Sequence, residues 1–341
     1  MIKEAIAHVA GGQSLTESEA ALVMEEIMTG EATPSQLGAF LTALHLKGET
    51  VDEIAGLARV MREKALHVPL PAHLSPVDTC GTGGDKSGTF NISTAAGLVV
   101  AACGQPVAKH GNRAATSRCG SADVLEALGV KIDLKPEQVA RCVTEAGFGF
   151  MFAPVYHPAM KHVGPTRREI GIRTIFNILG PLTNPASAAY QVMGVPEANL
   201  VAKMAEALLR LGCKRALVVY GEDGIDELSL SAPTLVCEVL GREGDLREYR
   251  ITPEGVGLAR KARDAVRGGD AAFNAQLLRD TLSGRLDDAH ADMVSLNAGA
   301  ALLACEQVKT LAEGVKLAHE TLQAGKAIET LEAVASLSHA A

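Results

Sequence analysis

The hydrophobic pattern of the first 70 residues is typical of short amphipathic helices. Three segments begin with a threonine that is followed three residues later by Glu or Gln, at Thr16, Thr33 and Thr50. This spacing predicts capping boxes, and apolar residues then recur at helical intervals. With a further helix near residues 2–9, we expect four short helices. Their shared core is small, so they need support from the rest of the chain or from a second copy.

Beyond residue 70, apolar runs of strand length alternate with apolar runs of helix length. Strands are predicted at 76–80, 106–109, 148–153, 190–195 and 215–220, and helices at 93–103, 121–128, 136–146 and 197–211. Such alternation predicts right-handed crossovers and a largely parallel sheet with helices on both faces. Two further runs, 234–240 and 246–251, flank a charged turn and predict an antiparallel pair, and the chain is helical again from residue 271. We therefore expect an α/β protein with a small helical domain, residues 1–70, and a large domain, residues 71–341.

Composition excludes several functional classes. The 341 residues carry 40 acidic and 32 basic side chains, for a net charge of −8, which disfavours general nucleic-acid binding. The seven cysteines are scattered without CxxC spacing, so a zinc or redox site is not expected. The N-terminus has no leader pattern, and the longest uncharged apolar stretch is far shorter than the ~20 residues of a membrane span. We expect a cytoplasmic protein that binds neither nucleic acid nor membranes.

A glycine-rich segment, GTGGDKSGTFNIST at residues 81–94, directly follows the first predicted strand. Glycines at a strand end let backbone N–H groups converge on an anion, and the helix N-terminus that follows adds a favourable dipole. The segment is neither a Walker A loop nor a GxGxxG fingerprint. It predicts an anion-binding loop, with a flexible turn that only caps the helix as the alternative.

A second polar segment, KHGNRAATSRCGS at residues 109–121, follows the second predicted strand. Ligands of α/β sheets collect at the carboxyl ends of strands, so two such segments side by side predict a composite pocket. Lys109, Arg113 and Arg118 supply cations there. The alternative is a solvated basic loop.

Carboxylates cluster in a third segment, GEDGIDELS at residues 221–229, again directly after a strand. Clustered carboxylates need a neutralising cation, and oxygen ligands favour Mg²⁺; the alternative is an acidic surface turn. Elsewhere, Arg167 and Arg168 at a predicted helix start can clamp a carboxylate, although we expect Arg168 and Arg173 to form surface ion pairs. Together the segments indicate a polyphosphorylated substrate with Mg²⁺ and a second substrate that bears a carboxylate.

Long motifs spread over nearly the whole chain resemble the anthranilate phosphoribosyltransferase family. They are the 81–94 segment, KHGNR at 109–113, SADVLEALG at 121–129, IRTIFNILGPLTNP at 172–185, and Asp226-Glu227. That family joins anthranilate to phosphoribosyl pyrophosphate and releases pyrophosphate in tryptophan biosynthesis. The resemblance implies the fold of nucleoside phosphorylases and phosphoribosyltransferases, with part of residues 165–185 packing on the helical domain. It also implies a homodimer formed through that domain.

The resemblance assigns roles by matching positions. The residues matching the phosphoribosyl pyrophosphate site are Gly81, Gly84, Asp85, Thr89, Asn91, Ile92, Ser93, Thr94, Lys109, His110, Gly111, Asn112, Arg113, Thr116, Ser117 and Ser121. Those matching the anthranilate site are Gly81, Asn112, Arg167, His110, His157 and Pro181. Ser93, Asp226 and Glu227 match the magnesium site, which implies two Mg²⁺ ions. Lys109 and Arg167 are expected to matter most, and no acid–base residue is assigned because an aniline-type amine needs no deprotonation before it attacks.

Two departures from the family pattern are visible. Lys86 stands where many relatives have glycine, and Ala114-Ala115-Thr116 replaces a more serine-rich run. Two other functions stay open at this point: a nucleoside phosphorylase of the same fold, and a catalytically silent relative that serves as a binding module. Intact glycine and acidic segments argue against the silent relative.

Overall fold

The computed structural model describes residues 1–114 and 117–340. Its first part is a bundle of four helices: α1 (Ile2–Ala10), α2 (Glu17–Thr29), α3 (Pro34–Lys47) and α4 (Val51–Glu63). The three predicted capping boxes are confirmed, since Thr16, Thr33 and Thr50 each accept from the N3 amide while the N3 side chain accepts from the cap amide. The positions of these helix starts were therefore readable from local sequence.

A seven-stranded sheet forms the centre of the second part. Its strands are β1 (Val77–Gly81), β2 (Val107–Gly111), β3 (Phe148–Phe152), β4 (Tyr190–Gly194), β5 (Arg215–Gly221), β6 (Thr234–Leu240) and β7 (Asp245–Ile251). They lie in the order β3-β2-β1-β4-β5-β6-β7. All pairs from β3 to β5 are parallel, whereas β5–β6 and β6–β7 are antiparallel. The predicted mostly parallel sheet and the predicted antiparallel pair are both confirmed.

Helices cover both faces of this sheet. They are α5 (Ile92–Ala102), α6 (Ser121–Ala127), α7 (Pro136–Ala146), α8 (Ala153–Tyr156), α9 (Gly164–Ile170), α10 (Phe176–Leu179), α11 (Ala198–Arg210), α12 (Ala271–Leu282), α13 (Ala289–Ala304), α14 (Leu311–Gln323) and α15 (Lys326–Ala340). Short 3₁₀ helices occupy Pro158–His162, Gly180–Leu182, Glu254–Val256 and Arg263–Val266. None of the helices in the described part of the chain is long and apolar enough to span a lipid bilayer.

The region between β3 and β4 differs most from the sequence-based expectation. It consists of helices of one or two turns, because prolines and glycines recur too closely for longer ones. One of these, α9, begins at Gly164, so Arg167 and Arg168 lie in its last turn and not at a helix start. The expected arginine pair at a helix start is therefore wrong.

The helical bundle does not have a core of its own. Its apolar side chains, such as Phe40 and Leu57, belong to the same buried cluster as Val163 and Phe176 between β3 and β4 and Met204 on α11. Arg62 on α4 donates to the carbonyl oxygens of Leu182 and Leu211 and so links the bundle to the α/β part. The support that the small bundle needs thus comes from this chain's own residues.

The sheet order places a crevice beside β1. The chain runs from β1 to β2 and β3 on one side and then crosses to β4 and β5 on the other side. Ligands of open α/β sheets bind at the carboxyl end of such a switch point. The segments that follow β1, β2 and β5 all lie at that edge.

Candidate active site

The glycine segment after β1 contacts the acidic segment after β5. The amide of Gly83 donates to Asp226 Oδ2 at 2.8 Å, and the amide of Ser93 donates to Glu227 Oε1 at 3.2 Å. A Cβ added at Gly81 would clash with the same Asp226 oxygen, so this approach requires glycine. The two ends of the 81–94 segment are therefore fixed by neighbouring carboxylates that lie over 130 residues away in sequence.

These carboxylates have pKa values above their ordinary range. Burial together with nearby Asp85 raises the pKa of Asp226 to about 7, and burial together with Asp226 raises the pKa of Glu227 well above its ordinary value. Asp85 itself accepts from the Asp226 amide at 3.4 Å. A cation at this point would relieve the repulsion among three neighbouring acids.

Lys109 on β2 lies between these carboxylates and a further buried acid, Asp78. Its side chain is 2% exposed, and Nζ donates to the Thr79 carbonyl and, at 3.2 Å, to Ser93 Oγ. Asp78, fully buried on β1, accepts from the His110 amide at 3.3 Å and from Asn184 Nδ2 at 2.7 Å. Burial raises the pKa of Asp78 to about 6, and the nearby ammonium of Lys109 opposes the rise. The structure thus brings the predicted lysine and the predicted acidic pair to one place.

The remainder of the second segment is arranged differently. Arg113 Nη1 lies 2.9 Å from both Asp123 Oδ1 and Glu126 Oε2, and its guanidinium stacks over Phe152 at 5.6 Å. These contacts pair the Arg113 guanidinium with two carboxylates of α6. Asn112 is exposed beside it, and its carbonyl accepts from Ser121 Oγ at 3.3 Å.

Several other residues predicted to bind phosphoribosyl pyrophosphate lie at or near the start of α5, and the rest lie in the two polar segments. Ile92 is 1% exposed in the apolar core, and Thr94 is fully buried with a hydroxyl that has no hydrogen-bond partner among the described residues. Asn91 is held in hydrogen bonds described below. The remaining placements are Thr89 Oγ1 at 3.0 Å from Ser87 Oγ, Ser117 Oγ at 3.4 Å from the Cys119 carbonyl, Gly84 in the left-handed region, and Gly111 at the end of β2. Thr116 lies outside the described residues.

A pair of neutral histidines lies beside Lys109. The rings of His110 and His157 are 5.0 Å apart, both side chains are buried, and the Nε2 atom of each has no partner within the described structure. Burial lowers the pKa of His110 to about 3 and that of His157 to about 4. His110 Nδ1 lies 3.2 Å from the Gly180 carbonyl, next to Pro181. The three predicted residues His110, His157 and Pro181 therefore lie together around an uncharged wall.

Arg167 on α9 supplies a cation. Its half-buried guanidinium stacks over Phe176 at 5.4 Å, and Nη2 lies 3.5 Å from Asn177 Oδ1. Across residues 1–114 and 117–340, no carboxylate forms an ion pair with it, and partial burial lowers its pKa. Such an arginine is well suited to bind a substrate carboxylate in two hydrogen bonds.

Some residues of the site are not marked by the sequence pattern. Arg173, expected in a surface ion pair, has its guanidinium against the glycine segment, where a Cβ on Gly84 would lie 2.8 Å from Nη1. Asn184 donates both to Asp78 and, at 2.8 Å, to the Ala108 carbonyl, and Gln191 donates to the Pro181 carbonyl at 2.7 Å. An aspartate inside an apolar strand was the available signal for Asp78, but nothing in the pattern identifies its partner.

The residues of the acidic segment fit a magnesium ion that shares its ligands with a substrate. Within the two described ranges, no group of three or more His, Cys, Asp and Glu side chains is arranged to hold a metal. The donor set here is two carboxylates, Asp226 and Glu227, with the Ser93 hydroxyl nearby. Mg²⁺ is commonly held by one or two carboxylates with water and substrate phosphates completing its shell.

Comparisons with known proteins agree along the whole chain. A model of the "Glycosyl transferase family, a/b domain" matches residues 74–328, and one of the "Glycosyl transferase family, helical bundle domain" matches residues 3–65. An anthranilate phosphoribosyltransferase of Chloroflexus aggregans is 58% identical over 337 residues, 99% of this chain and 98% of its own length.

Two solved structures have the same fold. The crystal structure of anthranilate phosphoribosyltransferase from Thermus thermophilus has a TM-score of 0.93 at 48% identity and covers 98% of this chain and 99% of its own. The enzyme from Saccharomyces cerevisiae in complex with PRPP and Mg has a TM-score of 0.92 at 25% identity, covering 100% of this chain and 98% of its own.

Proposed function

The chain belongs to the anthranilate phosphoribosyltransferase family, and we propose that the site described above carries out that family's reaction. The enzyme transfers the phosphoribosyl group of phosphoribosyl pyrophosphate to the amine of anthranilate, with release of pyrophosphate, in tryptophan biosynthesis. The observation that carries the proposal is the contact of Asp226 and Glu227 with the amides of Gly83 and Ser93. It joins a glycine-rich anion loop to an acidic pair at the switch point of the sheet.

The donor is bound by the glycine segment and Lys109 in this proposal. Glycine amides and hydroxyl groups of residues 81–94 bind the phosphates, and the buried ammonium of Lys109 stabilises the charge that develops on the departing pyrophosphate. Asp226 and Glu227 hold magnesium with Ser93, and we infer two ions. Bound Mg²⁺ supplies positive charge to the leaving group.

The acceptor is bound on the neutral side of the site. Arg167 binds the carboxylate of anthranilate, and Asn112, from the second segment, helps to align its amine. His110, His157 and Pro181 line the access path, where uncharged imidazoles suit an aromatic ring.

The chemistry requires positioning more than proton transfer. The neutral amine attacks C1 of the ribose on the face opposite to the pyrophosphate, through an oxocarbenium-like transition state by analogy with other glycosyl transfers. The attacking nitrogen loses its proton only after the bond forms, so we assign no base. Arg167 and Lys109 hold the two reactants in line, which lowers the entropic part of the barrier.

We further infer a cytoplasmic homodimer formed through the helical domain. All seven cysteines are free thiols, which suits a reducing compartment. Two leucines of the helical domain, Leu22 and Leu46, are 55% and 79% exposed and would be covered by a second copy. Sedimentation of the purified chain distinguishes the monomer from the dimer.

The fluorescence of anthranilate provides the test of the activity. We expect it to change on addition of phosphoribosyl pyrophosphate and Mg²⁺ together, and not with either one alone. Conversion of thymidine by inorganic phosphate, with anthranilate unchanged, would instead indicate a nucleoside phosphorylase. Tight binding of the donor with no turnover would indicate a catalytically silent relative.

A further inference from the structure

Two buried asparagines from the C-terminal helices contact the donor half of the site, which we define as the 81–94 segment, Lys109 and the acidic pair Asp226-Glu227. Asn274 on α12 is 1% exposed and Asn297 on α13 is 2% exposed. Neither belongs to a segment that the sequence pattern marks as functional. Each makes hydrogen bonds to a segment far from it in sequence.

Asn274 fixes the orientation of Asn91. The Gly269 amide donates to Asn274 Oδ1 at 2.7 Å, Asn274 Nδ2 donates to Asn91 Oδ1 at 2.9 Å, and Asn91 Nδ2 donates to the Cys119 carbonyl at 3.2 Å. An amide N–H only donates and a carbonyl only accepts, so both ends of this chain are determined and neither side-chain amide can flip. This series of hydrogen bonds thereby connects α12 to both the glycine segment and the second segment, residues 109–121.

The backbone beside Asn274 supports the same place. The Gly268 amide donates to the Gly88 carbonyl at 2.9 Å, and the Phe90 amide donates to the Val266 carbonyl at 3.3 Å. A Cβ on Gly268 would lie 2.7 Å from Phe90 Cα, so the two backbone segments are in direct contact. Residues 266–269 thus run along residues 88–90, and Asn274 links Gly269 to Asn91 next to this contact.

Asn297 holds the other half of the donor site. Its Oδ1 accepts from the Leu228 amide at 3.0 Å, and its Nδ2 donates to the carbonyls of Leu228 at 3.2 Å and Met293 at 3.0 Å. Both backbone groups of Leu228 are therefore paired by one side chain. Leu228 is fully buried and directly follows Asp226 and Glu227, so α13 sets where the acidic pair lies.

We propose that Asn274 and Asn297 are positioning residues that set the two walls of the donor site independently. Asn274 acts through Asn91 on the wall that binds the phosphoribosyl group, and Asn297 acts through Leu228 on the wall that binds magnesium. The proposal rests on the proposed function, because it presumes that these walls hold phosphoribosyl pyrophosphate and Mg²⁺.

The substitutions Asn274→Asp and Asn297→Asp test it, since each keeps the size of the side chain and replaces its donor by an acceptor. Binding of phosphoribosyl pyrophosphate is measured by calorimetry without anthranilate, first at saturating Mg²⁺ and then as a function of Mg²⁺. We expect Asn274→Asp to raise the Kd of phosphoribosyl pyrophosphate about tenfold at saturating Mg²⁺ and to leave the half-saturating Mg²⁺ concentration unchanged. Asn297→Asp should raise that Mg²⁺ concentration about tenfold and leave the Kd at saturating Mg²⁺ unchanged.

Controls separate positioning from stability. Asn199→Asp makes the same chemical change at an exposed position of α11 and should alter neither constant. If Asn274→Asp does not fold, Gly268→Ala pushes residues 266–268 away from Phe90 and should give the same change in Kd. If Asn297→Asp does not fold, Asn297→Ser shortens the side chain and should give the same change in Mg²⁺ dependence.

Two results would overturn the inference while leaving the proposed function intact. One is an equal change of both constants in both variants, and the other is a lowered melting temperature with both constants unchanged. Failure of the unaltered chain to bind phosphoribosyl pyrophosphate with Mg²⁺ would instead contradict the proposed function itself.

Discussion

The proposed donor and acceptor halves of the site differ in how much charge they contain. The donor half gathers charge at the edge of a regular sheet, where Asp226 and Glu227 contact the glycine segment and Lys109 is buried nearby. The acceptor half is made from helices of one or two turns and has two histidines that burial keeps neutral. Groups aimed at developing charge act best when they are fixed in advance, whereas an aromatic ring needs an uncharged surface and one cation for its carboxylate. In the proposed reaction, the donor half of the site is therefore organised for charge and the acceptor half for shape.

The largest effect should come from removing the charge of the donor half. Replacing Asp226 by Asn and Glu227 by Gln together should lower kcat/KM about a thousandfold or more at saturating Mg²⁺, because the magnesium ligands are lost. The matched control is Glu222→Gln, in the same segment, whose carboxylate pairs with Arg250 at the surface. Steady-state kinetics of the two proteins decide the matter, and unchanged turnover of the double variant would show that the acidic pair does not hold the metal.

A smaller and more selective effect is expected in the acceptor half. Arg167→Gln should raise the KM for anthranilate by about 10–100-fold, the loss of a charge-assisted hydrogen bond, and leave the KM for the donor nearly unchanged. The adjacent Arg168 is exposed, so Arg168→Gln serves as the control and should change neither constant. The opposite pattern, with only the donor KM raised, would place Arg167 in the donor half.

The two halves also differed in how far the sequence could predict them. The donor half follows regular strands: the predicted strand 234–240 coincides with Thr234–Leu240, and the segments after β1, β2 and β5 lie where strand ends require. The short helices around Arg167 were not predictable, because closely spaced prolines and glycines leave no helical period to read. Contacts such as Asp78 with Asn184 join residues 106 positions apart, and one sequence holds no local signal for such a pair.

The smallest expected effect is on the pH dependence of stability, through the neutral His157 of the acceptor half. His157 has a folded-state pKa of about 4, below its ordinary value of 6.5, so between these values the unfolded chain binds a proton that the folded chain does not. Its contribution therefore makes stability fall as pH falls through this window. From pH 6.0 to 4.5 the unaltered chain should lose about 2 kcal/mol more unfolding free energy than His157→Gln, as measured in urea.

An exposed histidine provides the control for this comparison. His8→Gln lies on the surface of α1 and should lose as much stability as the unaltered chain over the same pH range. The buried acids Asp78 and Asp226 have raised pKa values and change stability in the opposite direction, but they are present in all three proteins. Equal losses in His157→Gln and the unaltered chain would mean that His157 is not held neutral by the fold.

The proposed donor site can be tested with a crystal structure of this chain that holds phosphoribosyl pyrophosphate and Mg²⁺. The diphosphate should contact the 81–94 segment and Lys109, while magnesium joins it to Asp226 and Glu227. The backbone at residues 83, 93, 226 and 227 should move by less than about 1 Å, as expected for a site fixed in advance. A diphosphate bound away from the 81–94 segment, from Lys109 or from the acidic pair would show that the proposed site is wrong.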